Sequence, residues 1–367
     1  MPQKVLFFRP TLGEGGADRV QLAVLRGLDR TRYAATLVLL REEGPFMNDV
    51  PDDVRVIALG SRRLATSLPA FARVLVREQP NVVFCTCSAS NIIAAAAHTM
   101  VRSRARLVLS ERNALYRGRS VMHVKQSLEV ALKRVFYRRA DLVTAVSQGV
   151  ADELADIIAL PRRKISVVYN PVVDHDLTRR AGEPVEHPWF SEDKPIIVAC
   201  ARLVPQKDYP TLLDAFARVR RTVDARLWVL GEGPLRADLE ALAASLGLAD
   251  HVCFAGFDKN PFRYMARAAL LMHASRAEGL PGALIQAMAC GVPVVSTDCD
   301  FGPREVITSG HNGYLVPVGN AEDLAARALQ VLTDSAHRNE LARRALESAQ
   351  RFTAEASLAR YHAALQT

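Results

Sequence analysis

Long apolar runs and low-complexity tracts are both missing from this 367-residue sequence. The longest purely apolar run, residues 92–97, ends at His98 and is too short to cross a bilayer, so we expect no transmembrane helix. Near the start, only four apolar residues stand between Lys4 and Arg9, which is too few for the core of a secretory signal peptide. We therefore expect a cytoplasmic protein.

Paired cysteine motifs are missing as well. None of the six cysteines belongs to the Cys-x-x-Cys pairs that are typical of zinc sites, and most lie in apolar, strand-like runs. We expect reduced thiols in the protein interior. A redox or metal site at Cys85 and Cys87 is the alternative, but nothing near them in the sequence supplies further ligands.

Acidic residues are scarce between residues 101 and 140, where eleven Lys and Arg face only Glu111 and Glu129. This segment accounts for the net charge of +8, and a local basic surface indicates an anionic partner. Aromatic side chains that could stack on bases are sparse there, since Tyr116 and Tyr137 stand alone. We therefore expect no nucleic acid partner.

Residues 120–139 have the pattern of a basic amphipathic helix. One interpretation is a helix that rests on an anionic membrane surface, where each cation contributes about 1 kcal/mol, so that the protein is peripheral on the inner face of the cell membrane. The alternative is an apolar stripe that packs on a sheet and leaves the cations in solvent. The apolar positions are Val121, Val124, Leu128, Leu132, Val135 and Phe136, and the cations are Lys125, Lys133, Arg134, Arg138 and Arg139.

At this length the chain exceeds what one hydrophobic core usually holds, so two domains are expected. Apolar runs typical of strands alternate with helical patterns in two series, which predicts two α/β, doubly wound, Rossmann-like domains. A linker with a hinge is predicted from residue 170 to about 194, and a helical tail after Val318. The predicted strands are 4–8, 35–40, 54–59, 82–86, 107–110 and 142–146, then 196–199, 225–230, 252–255, 269–273 and 292–297.

A glycine loop, Gly13-Glu14-Gly15-Gly16, lies between the first predicted strand and a helix. Glycines let a backbone approach a ligand closely, and a helix N-terminus presents free amides to an anion. Asp18 stands where the dinucleotide fingerprint has its last glycine, which argues against NAD. A tight turn between strand and helix is the alternative.

Two cations, Arg202 and Lys207, follow the first predicted strand of the second series. Ligands bind at the carboxyl edge of an open parallel sheet, where such cations could clamp a diphosphate and stabilise it as it leaves. Surface cations are common, so this pair alone does not decide the function.

A carboxylate, a Gly/Pro turn and a helix start follow one another from Glu278 onward. Glu278 can accept hydrogen bonds from sugar hydroxyls, and the first amides of the helix, at Gly282, Ala283 and Leu284, can hold a phosphate. Gln286 lies further along the same helix. In the alternative, the helix dipole favours an acid at Glu278 and Gln286 points at solvent.

These elements, in this order and spacing, resemble the retaining glycosyltransferases of the GT-B fold, in the large fourth family that includes bacterial polysaccharide-assembly enzymes. The resemblance covers nearly the whole chain. Its most specific parts are Arg202 with Lys207, the turn Gly231-Glu232-Gly233-Pro234, the run Phe254-Ala255-Gly256-Phe257, and residues 275–291.

The resemblance implies a role for each site residue. Arg202 and Lys207 would bind the diphosphate of a nucleotide-sugar donor and Glu278 the transferred sugar, and these three are the predicted catalytic residues. The other predicted donor contacts are the amides of Gly282, Ala283 and Leu284 for the distal phosphate, Gln286 for the ribose, Phe257 for the base, and Gly15 with Gly16 from the other domain; Asp18 and Arg112 are the predicted acceptor contacts.

The resemblance also implies domains and an activity. Residues 1–170 would form the acceptor domain and 171–349 the donor domain, with a helix of about 350–367 able to pack back on the first. The implied activity is retaining transfer of a hexose or N-acetylhexosamine from a nucleoside diphosphate sugar, UDP by resemblance, to a glycan or lipid-linked acceptor. No metal or other cofactor is expected.

One position departs from the family pattern, because Gln286 stands where the family has a second glutamate. Charged hydrogen bonds contribute about 1.5 to 3 kcal/mol against about 1 for neutral ones, so we expect weaker donor binding. Two alternatives stay open: a catalytically degenerate membrane partner, and a GT-B sugar-nucleotide epimerase, which would need acids and a histidine arranged for proton transfer.

Overall fold

The computed structural model describes residues 1–13, 15–114, 124–173 and 175–366, and only the backbone of 124–127. The chain forms two compact units, Met1–Pro171 together with Ala354–Thr367, and Val172–Thr353. Within the described residues, no helix combines the length and the apolar character needed to cross a membrane.

The first unit is built on a seven-stranded parallel sheet. Its strands are β1 (Gln3–Arg9), β2 (Tyr33–Leu39), β3 (Arg55–Ala58), β4 (Val82–Cys85), β5 (Arg106–Glu111), β6 (Leu142–Ala145) and β7 (Ile165–Val167). They lie in the order β3-β2-β1-β4-β5-β6-β7, so the winding direction reverses between β1 and β4. In such a sheet ligands bind at the carboxyl edge near the reversal.

In the part of the first unit that the structure describes, five helices lie between these strands in the chain. They are α1 (Gly16–Arg26), α2 (Leu68–Glu78), α3 (Ser88–Met100), α4 (Val124–Phe136) and α5 (Gln148–Ile158). Local chemistry sets their ends: Ser147 accepts a hydrogen bond from the Val150 amide at the start of α5, and Gln79 ends α2 in the left-handed conformation.

The second unit has a six-stranded parallel sheet. Its strands are β8 (Ile196–Cys200), β9 (Arg226–Leu230), β10 (Val252–Gly256), β11 (Leu270–His273), β12 (Val294–Thr297) and β13 (Tyr314–Val316). The order β10-β9-β8-β11-β12-β13 reverses direction between β8 and β11. Its helices are α6 (Leu177–Ala181), α7 (Tyr209–Arg220), α8 (Arg236–Ser245), α9 (Phe262–Met265), α10 (Gly282–Ala289), α11 (Pro303–Val306), α12 (Ala321–Thr333) and α13 (Ser335–Ala349).

The helix after α13 belongs to the first unit. α14 (Ala354–Leu365) packs against α1 and β5, and the Tyr361 ring meets the Phe84 ring edge-on at 5.9 Å. A Cβ at Gly27 would overlap the Leu358 side chain, so the glycine allows a close contact between the end of α1 and α14. The first unit is therefore completed by residues that follow the whole second unit in sequence.

Each of the eleven predicted strands corresponds to a strand of the structure, which confirms the two doubly wound sheets. The three-residue strands β7 and β13 were not predicted. The predicted helical tail consists of the three helices α12, α13 and α14. The predicted linker of residues 170–194 contains α6, which packs on α9, and the Asn260 amide donates to the Arg180 carbonyl and to Glu183; the hinge stays a prediction.

Candidate functional site

In the second unit, the carboxyl ends of β8 and β11 bring Lys207 and Glu278 together. The two strands are neighbours, so the loops that follow them meet at one edge of the sheet. The Lys207 ammonium donates a hydrogen bond to Glu278 Oε1, and both side chains are largely buried. Burial would raise the pKa of the Glu278 carboxyl, but Lys207 and then His273 outweigh it and lower that pKa well below its usual range. Glu278 is therefore an ionised carboxylate.

The loop that carries Lys207 is fixed to the loop that carries Glu278. Gln206 Nε2 donates to the Ala277 carbonyl at 2.6 Å, and the Arg276 amide donates to the Gln206 carbonyl at 2.9 Å. Asp208 adopts a left-handed conformation with φ of 46° and forms an ion pair with Arg276 at 2.8 Å. The strained backbone at Asp208 is thus held by its neighbours, which is typical of functional loops.

His273 is a site residue that sequence reasoning missed. It is the last residue of β11 and is 5% exposed. Its Nε2 lies 2.9 Å from Glu278 Oε1, so the same carboxylate oxygen contacts both Lys207 and His273. The available signal was a polar residue between Met272 and Ala274 in an otherwise apolar strand.

Arg202 lies on the same edge, immediately after β8, with an exposed side chain. Among the residues that the structure describes, none forms an ion pair with it. The turn at Gly231 and Gly233 packs directly on the Ala201–Leu203 backbone, where any side chain at either glycine would collide with a carbonyl. The Leu203 amide also donates to the Glu232 carbonyl at 2.9 Å. This turn therefore fixes the backbone of Arg202 and leaves its guanidinium available.

α10 begins at the predicted phosphate position, with Gly282 and Ala283 half-buried and Leu284 fully buried. A Cβ at Gly282 would meet no atom within 4 Å, so there is open space beside the helix start, whereas the Leu284 amide already donates to the Pro281 carbonyl at 3.2 Å. The turn before the helix is braced by Gly302, whose φ is 88° and whose Cβ would lie 2.7 Å from Pro281 Cδ. Gln286, in the middle of α10, is half-buried.

Phe257 follows Gly256 at the end of β10 and is half-buried. Gly256 has φ of 80°, and its carbonyl accepts a hydrogen bond from the Gly231 amide at 2.8 Å. A Cβ at Gly256 would lie 2.8 Å from Glu232 Oε1. The position predicted for the base is therefore tied to the turn that supports Arg202.

The predicted residues of the first unit are occupied by contacts within that unit. Gly15 caps α1 and Gly16 begins it, and the Gly15 amide donates to Asp18 Oδ2 at 3.1 Å. Asp18 is buried and pairs with Arg9 at 2.5 Å. Burial raises the pKa of Asp18 although Arg9 acts in the opposite direction. Asp18 therefore fastens the glycine loop to β1.

Arg112 lies in the packing of α14. Its guanidinium donates to Asn170 Oδ1 and to the Tyr361 hydroxyl, both at 2.9 Å, and the residue is buried. Burial lowers the pKa of Arg112 from its ordinary value. The structure thus gives Arg112 a positioning role toward α14, and its contact with an acceptor stays a prediction.

α4 departs from the predicted pattern at Lys133, and two of its apolar side chains are exposed instead of packed on the sheet. Leu128 and Val135 are 59% and 60% exposed, whereas Lys133 is fully buried and pairs with Glu111 at 2.9 Å. The prediction of Lys133 as a surface cation was wrong, because its partner comes from β5. Residues 120–123 lie outside the described residues, as do the side chains of 124–127.

Within the described ranges, no three His, Cys, Asp or Glu side chains are close enough together to hold a metal ion. Metal independence stays a prediction.

Comparison with known proteins matches both parts of the chain. Residues 14–176 match the family model Glycosyltransferase Family 4, and residues 186–348 match Glycosyl transferases group 1. An N-acetylgalactosamine-N,N'-diacetylbacillosaminyl-diphospho-undecaprenol 4-alpha-N-acetylgalactosaminyltransferase of Campylobacter jejuni is 27% identical over 354 residues, which cover 90% of this chain and 91% of the relative. The lipopolysaccharide core biosynthesis glycosyltransferase LpsE of Rhizobium meliloti is 30% identical over 213 residues, covering 58% and 60%.

Among solved structures, Anabaena HepE in complex with UDP-glucose superposes with a TM-score of 0.84 at 21% identity, covering 99% of both chains. This similarity extends the fold assignment to the whole length, and the fold is GT-B. The chain has two doubly wound sheets, and the second carries a carboxylate and cations at its carboxyl edge. Together with the family matches along both units, this shows that the chain is a glycosyltransferase of family 4.

Proposed function

We propose that the protein transfers a hexose or N-acetylhexosamine, with retention of configuration and without a metal ion, from a UDP-sugar to a lipid-linked glycan acceptor in cell-surface polysaccharide assembly. The observation that carries this proposal is the group at the carboxyl edge of the second sheet. There the ionised Glu278 pairs with Lys207, Arg202 is exposed without an ion-pair partner among the described residues, and there is open space beside Gly282 at the start of α10.

The diphosphate is the part of the donor that this edge suits best. Arg202 can form charge-assisted hydrogen bonds with phosphate oxygens, and the first amides of α10 can hold the distal phosphate. Negative charge grows on the leaving UDP as the bond to the sugar breaks, so fixed positive groups lower the barrier. Stabilisation of the leaving group is thus the main catalytic contribution.

Glu278 suits the transferred sugar. An ionised carboxylate accepts hydrogen bonds only, and sugar hydroxyls donate them. Its place beside Lys207 sets it at the sugar end of the diphosphate site. The preference for uridine is supported by HepE, a structural relative that was solved with UDP-glucose.

The acceptor is supported by the relatives. The Campylobacter jejuni relative acts on a diphospho-undecaprenol glycan by its name, and the Rhizobium meliloti relative acts in lipopolysaccharide core biosynthesis. A lipid-linked acceptor is consistent with the location that we propose, at the cytoplasmic face of a membrane.

Nucleotide binding is the first test. Calorimetric titration with UDP, GDP and ADP, without added metal, should give binding of UDP that weakens about 10-fold to 100-fold in Arg202→Ala, since one charge-assisted contact contributes about 1.5 to 3 kcal/mol. The matched control is Arg221→Ala, which removes an exposed arginine at the opposite end of α7. No detectable binding of any nucleotide by the wild type would overturn the proposal and favour the degenerate membrane partner.

Attachment to an anionic membrane surface forms part of the proposal, and α4 supports it. The helix buries Lys133 against Glu111 and exposes Leu128 and Val135. Its solvent-exposed face therefore carries apolar side chains, whereas such a face is ordinarily polar or charged. Arg138 and Arg139 are exposed just beyond the helix. Apolar side chains flanked by cations match the requirements of an interfacial helix.

Sedimentation with vesicles tests this attachment. Binding to phosphatidylglycerol vesicles should weaken as salt is added and should fall in Leu128→Asn with Val135→Asn. The control is Val76→Asn, which changes an apolar residue of α2 that is 60% exposed. Equal binding by all three proteins, or equal binding to phosphatidylcholine vesicles, would refute attachment through α4.

A further inference from the structure

The ring of His273 contacts polar groups on both sides. Nδ1 lies 3.0 Å from Ser296 Oγ, while Nε2 lies 2.9 Å from Glu278 Oε1 and 3.0 Å from Ser275 Oγ. The residue belongs to β11 and Ser296 to the neighbouring strand β12, so both lie on the rigid sheet. The ring is therefore fixed in orientation by its backbone and by Ser296.

One hydrogen position of the ring follows from its partner. The ionised Glu278 carboxylate can only accept, so the 2.9 Å contact needs a hydrogen on Nε2. On the other side, Nδ1 lies against the Ser296 hydroxyl, which also donates to the Thr297 carbonyl at 3.1 Å.

We propose that His273, with Nε2 donating to the carboxylate, is the positioning residue for Glu278 in the transferase reaction. Nε2–H and the Lys207 ammonium both donate to Oε1, which fixes the carboxylate and presents Oε2 to a hydroxyl of the transferred sugar. This inference rests on the proposed role of Glu278 in sugar binding. His273 acts through Glu278 and does not itself contact the donor.

The two donors contribute differently to this arrangement. Lys207 reaches Glu278 on a flexible stem from a one-turn 3-10 helix, whereas His273 reaches it from a strand, with its two ring nitrogens in contact with polar groups. Lys207 alone would allow the carboxylate to rotate about its contact. With His273 present, the plane of the carboxylate is set before the sugar arrives, which is what efficient transfer requires.

Two substitutions distinguish the contribution of Nδ1 from that of Nε2. In His273→Asn the side-chain amide can still donate to Ser296, but it cannot reach Glu278. In His273→Gln the amide nitrogen can take the place of Nε2 and donate to Glu278. The expected result is that kcat falls about 10-fold to 100-fold in the Asn variant and recovers most of that loss in the Gln variant, the range expected for a charge-assisted hydrogen bond.

Binding measurements distinguish positioning from a structural role. UDP lacks the sugar, so its Kd should be unchanged in His273→Asn, while any tighter binding of UDP-sugar relative to UDP should disappear. Equal weakening of UDP and UDP-sugar, or full activity in His273→Asn, would overturn the proposal. Thermal unfolding of both variants shows whether a loss comes from misfolding.

The wild-type protein gives an independent readout. Nitrogen-15 NMR spectra of the histidine ring should show a hydrogen on Nε2 of His273 at neutral pH, and a ring protonated on Nδ1 alone would overturn the proposal. This result does not depend on nucleotide binding. If the wild type bound no UDP, the proposed function would fail while the state of the ring would still be measured.

Discussion

The buried pair of Lys133 and Glu111 makes a sharp prediction about the stability of the first unit. Both side chains are 0% exposed, and Glu111 also accepts hydrogen bonds from the Tyr137 hydroxyl at 2.8 Å and from Ser88. Lys133→Met removes the cation and leaves the carboxylate buried. Loss of one partner of such a pair costs about 3 to 5 kcal/mol, so we expect a decrease of that size in the free energy of unfolding.

Protonation does not complicate this measurement at neutral pH. Burial lowers the pKa of the Lys133 ammonium, but Glu111 and Glu129 outweigh burial and raise it above its ordinary value. The stabilisation is therefore fully present below the pKa that Lys133 has in the unfolded chain, and it is lost only as the pH rises through the pKa of Lys133 in the folded protein. Neutral pH lies well inside the stable range.

Urea unfolding at neutral pH is the appropriate assay. The control is Arg55→Met, which breaks an exposed ion pair with Glu78 and should cost less than about 1 kcal/mol. Adding Glu111→Gln to Lys133→Met should recover part of the loss, because the uncompensated charge is removed. If Lys133→Met cost no more than Arg55→Met, the buried charge would have to be satisfied in another way and the reasoning would be refuted.

Three further predictions concern the second unit. Gly302→Ala should lower the melting temperature and weaken UDP binding, because a Cβ would lie 2.7 Å from Pro281 in a backbone with φ of 88°; unchanged calorimetry would contradict this. Gln286→Glu should tighten UDP binding about 5-fold to 10-fold if this side chain contacts the ribose, and calorimetry checks it. The folded protein should lose stability as the pH drops below 4.5, the ordinary pKa of Glu278, because the surroundings that lower this pKa stabilise only the ionised carboxylate. In Glu278→Gln, the melting temperature should depend less on pH in this acid range.

The sheets could be predicted from the sequence because both faces of a parallel sheet are covered. Its strands are therefore continuous apolar runs, as in β1 and β4, and such runs stand out between helical patterns. β7 and β13 have three residues each, too few to form a recognisable run. The position of the candidate site could also be predicted, because ligands bind at the carboxyl edge of a parallel sheet and Arg202, Lys207 and Glu278 all come after strands.

The ion-pair and hydrogen-bond partners of individual side chains could not be predicted from the sequence. Helical spacing places α4 correctly, but it cannot say that Lys133 turns inward, because Glu111 lies 22 residues away and its position depends on the folded sheet. A single histidine in an apolar strand carries no spacing signal either, so the contact of His273 with Glu278 emerged only in three dimensions. The segment after residue 174 has the polar composition of a linker, yet buried Leu177 and the contacts of Arg180 hold it on α9.

The place of α14 has a consequence for how the protein matures during synthesis. Residues 354–365 leave the ribosome only after the entire second unit, so until then the first unit has an uncovered surface where α14 packs against β5. Arg112 can form its hydrogen bond to the Tyr361 hydroxyl only after Tyr361 has been translated, 249 residues later in the sequence. The second unit can therefore finish folding before the first, although it is translated later. A stalled or shortened chain would expose the sheet of the first unit to chaperones and proteases even when its own strands are all present.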